Sequence, residues 1–390
     1  MEAEPRGRRR VERAAVNDGS AGPVPAVVLD VGWVNGLAAI RSLGRAGIPV
    51  LALDHRPSAL GFRSRYAEQV VCPDPHSDEA GFVRFLAKLG RRVGRPMPIF
   101  ATHDEGLNAV ARNLPELDGL VVAPCPAWET LSLVQSKRVQ LERAEDAGVG
   151  IPATRNPASA GEARAAGEEL GFPVLVKPSD PVGFKQRYRR QAFRCDSPAE
   201  LDDAYASAQA FGPMVQELVP GGDDRLYTVG SYLARDGRAL GLFCGRKLRQ
   251  MPPGIGTCRV GEAVWVEEVV EAALRLLRAF DYHGLSQVEF KHDTRDGTYK
   301  LMEINPRLWQ WHGLASACGV DLPRIAYADL LGDEPPSAEM DGNRRRWAIT
   351  LLPGAAPAWQ RPPYVDAVFA RDDPKPAAVH LARVLRGVFR

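Results

Sequence analysis

Residues 287–305 leave the backbone little choice of fold. They read Gln-Val-Glu-Phe-Lys-His, an Arg-Asp-Gly turn at 295–297, and then Tyr-Lys-Leu-Met-Glu-Ile-Asn. Apolar and polar positions alternate on either side of a turn-forming dipeptide, so the segment predicts two antiparallel strands joined as a hairpin. A hairpin symmetric about Asp296 sets Glu289 opposite Glu303, since their numbers average to that residue. Residues two apart on a strand share a face, which puts Asn305 beside Glu303 while Met302 and Ile304 point into a core. Two carboxylates and an amide oxygen then converge. Like charges so close repel unless a cation lies between them, and hard oxygen donors suit Mg2+, which usually keeps phosphate oxygens among its ligands. A nucleotide-bound magnesium site is implied. Arg307 follows just beyond, where a planar permanent cation can stabilise charge on a transferring phosphoryl group. The alternative is a surface hairpin whose acids pair with Lys291, Lys300 or Arg307.

Upstream, apolar runs at 24–29, 48–53, 68–72, 97–101 and 120–123 are separated by helical stretches, notably 36–46, 80–89 and 105–113. Strands alternating with helices predict an open α/β sheet over residues 23–125, after a disordered tail at 1–22. Its first turn, Asp30-Val-Gly-Trp-Val-Asn-Gly36, lacks the GxGxxG spacing that seats a pyrophosphate, which disfavours a nicotinamide dehydrogenase. Ligands of such sheets lie at the carboxyl ends of strands. Asp30, Asn35, Asp54, Arg56 and the loop Thr102-His-Asp-Glu105 occupy those ends, as substrate contacts or as turn and cap residues. A helix over 131–147, a break at 148–152, and strands at 172–177 and 214–219 come next. Strands at 227–234, 239–249, 287–292 and 299–304, with a helix at 266–280 between the pairs, make this half α+β. The end carries a Pro-rich link, a strand near Trp347 and an amphipathic helix over 378–389.

Composition removes several classes. A net charge of +2 over 390 residues gives no electrostatic case for a nucleic-acid partner. No apolar stretch is long enough for a membrane span, and the basic N-terminal run has no apolar core behind it to serve as a secretory signal. Six dispersed cysteines form no CxxC pair or zinc spacing, which suggests reduced thiols and a cytoplasmic protein. Only eight of the 50 basic residues are lysines, so each lysine standing where arginine would serve equally as a generic cation is informative.

Five segments occur in order: Ser136-Lys137, Val174-Leu-Val-Lys-Pro178, Val215-Gln-Glu-Leu-Val-Pro-Gly-Gly-Asp223, Gln287-Val-Glu-Phe290 and Glu303-Ile-Asn-Pro-Arg307. In this series the chain resembles the ATP-grasp superfamily, in particular its carboxylate–amine ligases, the group that includes D-aspartate ligase-like enzymes. The resemblance implies an α/β open-sheet pre-ATP-grasp domain (23–125) followed by an α+β ATP-grasp domain (126–333, subdomains 126–212 and 213–333) and a C-terminal extension (334–390) packed on that module. It implies ATP and Mg2+, with Mn2+ as a substitute. Lys137 and Lys177 match the phosphate-binding lysines. Gln216, Glu217, Leu218 and Val219 match the adenine clamp, with Gln216 on the exocyclic amine and main-chain atoms of Glu217 and Val219 on the ring edge. Asp223 matches the ribose-binding acid, Glu289, Glu303 and Asn305 the magnesium ligands, and Arg307 the arginine near an acyl phosphate.

The reaction implied joins a small carboxylate, activated as an acyl phosphate, to an amine such as an amino acid or small peptide, in a protein that is often a homodimer. Bicarbonate activation of the carboxylase or carbamoyl-phosphate type is the nearest alternative, and a non-catalytic nucleotide-binding regulator the next. The chain departs from the wider pattern after Pro178, where a glycine-rich flap is replaced by 179–190 with one glycine and four cations, among them Lys185. In the basic strand 245–250, strict alternation sets Lys247 and Arg249 on one face, either of which would be aimed at the phosphate or acyl group. Trp309, Trp311 and His312 are expected to line the acceptor pocket, the tryptophans excluding water or simply filling the core, and His312 serving as general base or as a structural histidine.

Overall fold

The computed structural model describes residues 22–179, 181–254, 256–350 and 364–387. The tail expected at 1–22 therefore lies almost wholly outside the described residues, and the side chain of Lys185 is outside them too. The N-terminal unit runs β1 (Ala26–Leu29), α1 (Val34–Arg45), β2 (Val50–Asp54), β3 (Ala67–Val71), α2 (Glu79–Val93), β4 (Met97–Phe100), α3 (Asp104–Arg112) and β5 (Val121–Val122). Its strands form one parallel sheet ordered β3-β2-β1-β4-β5. The order reverses between β1 and β4, and loops from both strand ends meet there at the crevice where ligands of open α/β sheets bind. β1 and β2 are buried throughout, as continuous apolar runs should be in a sheet covered on both faces.

The helix expected over 131–147 is two helices, α4 (Trp128–Gln135) and α5 (Lys137–Asp146). Ser136 between them is extended and its hydroxyl accepts from Val139 N, so a serine N-cap ends one helix and opens the next. The break sets Lys137 at the first position of α5. Then come β6 (Thr154–Arg155), α6 (Ala160–Leu170), β7 (Val174–Pro178), α7 (Pro181–Tyr188), β8 (Phe193–Cys195), α8 (Pro198–Ala208) and β9 (Pro213–Glu217). Capping boxes open α6 and α8: Ser159 accepts from Glu162 N while Glu162 accepts from Ala158 N, and Ser197 and Glu200 repeat the exchange. The segment expected as a basic loop over 179–190 is largely helical.

These strands make a four-stranded antiparallel sheet ordered β6-β9-β7-β8. β9 pairs with β7 from Val174↔Glu217 to Pro178↔Pro213, so the step between subdomains falls after Glu217 and not at 212/213 as the sequence suggested. The backbone ladder keeps β9 with the smaller sheet.

The larger sheet holds β10 (Leu226–Leu233), β11 (Ala239–Met251), β12 (Thr257–Ala263), β13 (Gly284–His292) and β14 (Tyr299–Asn305), with α9 (Glu267–Ala279) packed on it. β12, Thr-Cys-Arg-Val-Gly-Glu-Ala, lacks clean alternation and went unread in the sequence. After α10 (Gly313–Ala317) and α11 (Leu322–Leu331), β15 (Arg346–Ala348) and β16 (Tyr364–Asp366) extend the order to β14-β13-β10-β11-β12-β15-β16. The C-terminal helix α12 (Lys375–Leu385) instead meets the N-terminal unit. Arg41, buried on α1, donates to Asp373 Oδ2 at 3.0 Å and to two main-chain carbonyls at 2.8 and 2.9 Å. The extension thus packs on both units and not on the second alone. One apolar core runs from α1 through Trp309, Trp311, α10 and α11, which fixes the parallel sheet against the large one. Among the described residues no helix is long and apolar enough to cross a membrane.

Candidate active site

A cavity of about 1140 Å³ opens where the three sheets meet. The parallel sheet contributes Trp33, Asn35 and the loop from Thr102 to Glu105, the small sheet Lys177 and Gln216, and the large sheet Glu289 and Glu303. Asp30, Asp54 and Arg56 are off its wall, and Asp54 is occupied by Arg56 at 3.0 and 3.1 Å.

The acidic hairpin has the register its sequence demands, with Glu289 opposite Glu303 and Gln287 opposite Asn305. Lys247 Nζ reaches the Glu289 carboxylate at 2.8 Å, and Gln287 Nε2 and Thr228 Oγ1 donate to it at 2.7 and 3.4 Å. Glu303 accepts from Asn305 Nδ2 at 2.9 Å and lies 3.9 Å from Lys137 Nζ. Burial raises Glu289 above the ordinary carboxylate range despite Lys247. Burial pushes Glu303 the same way but is outweighed, first by the charge of Lys137, so Glu303 is held low. The pairing alternative is only partly realised: Lys300 serves Glu217 and Asp293 at 2.8 Å, while Lys247 and Lys137 neutralise the hairpin acids.

Besides Lys137, three cations act on these carboxylates. Lys177 is pushed down to about 7, first by burial and then by the charge of Lys137. Burial pulls Lys247 down, but Glu289 and the other acids beside it together outweigh that, and its pKa is held above the ordinary lysine range. Arg307 Nε and Nη2 grip Asp104 at 2.7 and 3.1 Å. The alternation expected of 245–250 fails, because β11 carries bulges on both sides of Arg249. They turn Lys247 and Gln250 to the cavity and leave Arg249 exposed, so Lys247 alone of the two basic residues lines the wall.

Gln216 to Val219 line the opposite end. Gln216 Nε2 donates to Thr154 Oγ1 at 2.8 Å. The Glu217 carboxylate accepts from Ala153 N at 2.9 Å and from Lys300, and also binds Arg295, so this side chain is fully engaged. Asp223 is absent from the wall. Its carboxylate accepts from Gln250 N, Gln250 Nε2 and Gly254 N at 2.7, 3.0 and 2.8 Å, which anchors the end of β11.

His312 is corrected as well. It is 1% exposed, off the cavity wall, hydrogen-bonded through Nε2 to Asn35 O at 3.0 Å, and pushed down to about 4 by burial. A base that cannot reach the cleft has no catalytic role there, so it is a core histidine. Trp309 and Trp311 are almost wholly buried and also line the cavity. A Cβ built on Gly230 would fall 1.9 Å from Trp309 and one on Gly261 2.7 Å from Trp311, so these glycines make room for the two rings.

Gln140 and Arg259 were missed in the sequence. Gln140 Oε1 accepts from Ile304 N at 3.1 Å and its Nε2 donates to Val134 O at 2.6 Å, tying β14 to α4 and α5 between the two metal-ligand candidates' neighbours. Neither residue belongs to a local pattern; only β12 pairing and the α4–α5 break bring them to the site.

With this geometry in view, a family profile described as "ATP-grasp in the biosynthetic pathway with Ter operon" matches residues 249–348. A D-aspartate ligase of Enterococcus faecium is 27% identical over 173 residues, which is 42% of this chain and 41% of the relative. A solved biotin carboxylase domain of the Hydrogenobacter thermophilus 2-oxoglutarate carboxylase, in complex with MgADP, ADP and bicarbonate, superposes with TM-score 0.63 at 18% identity, covering 81% of this chain and 71% of that one. An L-amino acid ligase from Bacillus licheniformis gives 0.59 at 16% identity, covering 82% and 76%. The chain spans less than half the length of the curated relatives it matches. Its fold is the one these ATP-grasp enzymes share. Among such proteins its sequence is similar to the carboxylate–amine ligase group.

Proposed function

We propose that the protein is an ATP-dependent carboxylate–amine ligase acting on small molecules. The observation that carries this reading is the convergence on one cavity of the Glu289–Glu303 pair, Asn305, Lys137, Lys177 and the segment 216–219. The donor set fits magnesium in kind: two carboxylates and an amide, with no third acid or histidine joining them among the described residues, leave coordination positions for phosphate oxygens. Asn305 shows Glu303 its amide nitrogen, and its oxygen lies 3.4 Å from Arg307 Nη2, so metal binding requires that amide to turn. The ion would neutralise and align the phosphates.

Lys137 and Lys177 would hold the phosphates, and Gln216 with the main chain of Glu217, Leu218 and Val219 the adenine. Substrate carboxylate attacks the γ-phosphorus and breaks its bond to the β–γ bridging oxygen, releasing ADP. A neutral amine then attacks the carbonyl carbon of the acyl phosphate, the C–O bond to phosphate breaks, and inorganic phosphate and the amine proton leave. Arg307 and Lys247 supply fixed positive charge where the phosphoryl oxygens gather negative charge, so catalysis is positioning and charge stabilisation. Trp309 and Trp311, which line the cavity, would exclude water from the acyl phosphate on the acceptor side.

The test is phosphate release measured over a matrix of carboxylates and amines. Release should need MgATP, an acid and an amine together, with an amide product found by mass spectrometry. Release that depends on bicarbonate and ignores every amine would favour the carboxylase-type reading, and ATP turnover indifferent to all of them would exclude the ligase.

A further inference from the structure

Arg259, on β12, lines the cavity on a part of the wall far from the acidic hairpin. Between β13, which carries Glu289, and β12 lie two strands, so at ~4.8 Å per strand the backbones are roughly 14 Å apart. That distance separates it from phosphoryl transfer. Of the other arginines on the cavity wall, Arg307 is paired with Asp104 and Arg189 is exposed to solvent, and nearby Arg246 and Arg346 are both paired with Glu262. Arg259 has no ion pair with any described carboxylate. Its guanidinium meets the Gln310 side chain, whose oxygen, with the amide turned to face its donors, accepts from Arg259 Nη1 at 3.3 Å and from Trp33 Nε1 at 3.2 Å. Burial lowers its pKa, opposed by the neighbouring Cys258 thiol and by no carboxylate. A half-buried cation without a counter-charge is costly unless an anion arrives to pair with it, and the planar guanidinium matches a carboxylate with two parallel hydrogen bonds.

We infer that Arg259, braced by Gln310 and flanked by Trp33 and Trp311, binds a carboxylate of the substrate that takes no part in the reaction, so that one substrate is an amino acid or short peptide with that carboxylate free. This rests on the ligase reading and narrows it. The phosphorylated carboxyl meets Arg307 and Lys247, whereas the spectator carboxylate is held at the far end and fixes which end of the molecule reaches the phosphate.

The test is calorimetric titration of the full chain, preloaded with Mg2+ and a non-hydrolysable ATP analogue, with the common L- and D-amino acids and their α-carboxamides. At least one amino acid should bind, its carboxamide tenfold or more weaker. Arg259→Gln should erase that preference, and Arg259→Lys should restore part of it, each variant being checked for an unchanged melting transition. Equal affinity for acid and amide, an unaltered preference in Arg259→Gln, or no binding by any amino acid to the nucleotide-loaded protein overturns the inference and leaves the ATP site standing. Failure to bind the magnesium nucleotide in the first place overturns both.

Discussion

Arg307 on the segment after β14 and Asp104 at the start of α3 are joined by two parallel hydrogen bonds of 2.7 and 3.1 Å, which tie the acidic hairpin to the parallel sheet. Bidentate pairs of this kind fix a guanidinium plane as well as its position. Asp104 therefore aims Arg307. Asp104→Asn should lower kcat by about tenfold with the melting temperature little changed, whereas Arg307→Ala should cost about 10²-fold or more, on the scale of losing one transition-state donor. Equal losses for the two would show that Asp104 does more than aim its partner.

Lys177, brought down to about 7 by burial and by Lys137, titrates in the working range. Phosphates placed beside it favour its charged form, so its pKa is higher in the complex than in the free protein. A group whose pKa rises on binding takes up a proton between the two values. Nucleotide binding at about pH 8 should therefore take up protons, measurable as a dependence of calorimetric enthalpy on buffer ionisation heat, and affinity should fall as pH climbs from about 7. Below about pH 6 the uptake should vanish. Lys177→Met should abolish it at every pH.

Asp373 carries the attachment of the C-terminal extension. It is 1% exposed and accepts from Arg41, Ser64 Oγ at 2.8 Å and Arg65 N at 2.9 Å. Asp373→Ala leaves the buried Arg41 without its counter-charge and should destabilise the fold by about 3–5 kcal/mol, read from denaturant midpoints. A loss below about 1 kcal/mol would mean that the extension is not coupled to the N-terminal unit.

The hairpin was legible because its information is local: alternation, a turn dipeptide and a register that follows from counting. The parallel sheet was legible for the same reason, each strand being a continuous apolar run. β12 was not, because Thr-Cys-Arg-Val-Gly-Glu-Ala owes its strand state to the ladder with β11. Bulges decide Lys247 against Arg249, and nothing in Gly-Arg-Lys-Leu-Arg-Gln announces them. His312 misled because a histidine after two tryptophans reads equally as base or as packing, and only its bond to Asn35 O places it in the core. The motif position of Asp223 does not reveal that main-chain donors hold its carboxylate. The break at Ser136 could have been found, since Ser before a polar stretch is an N-cap signal, and it is what delivers Lys137 to Glu303.

The central claim is that the paired acids of one hairpin grip the magnesium of a bound nucleotide. Calorimetric titration with a non-hydrolysable ATP analogue, with and without Mg2+, addresses it in the wild type and in Glu303→Gln. Nucleotide should bind the wild type at least tenfold tighter with magnesium than without it, and the variant, folded to the same melting temperature, should lose most of that gain. Equal affinity with and without the metal, or a variant that keeps the full magnesium effect, would contradict the account.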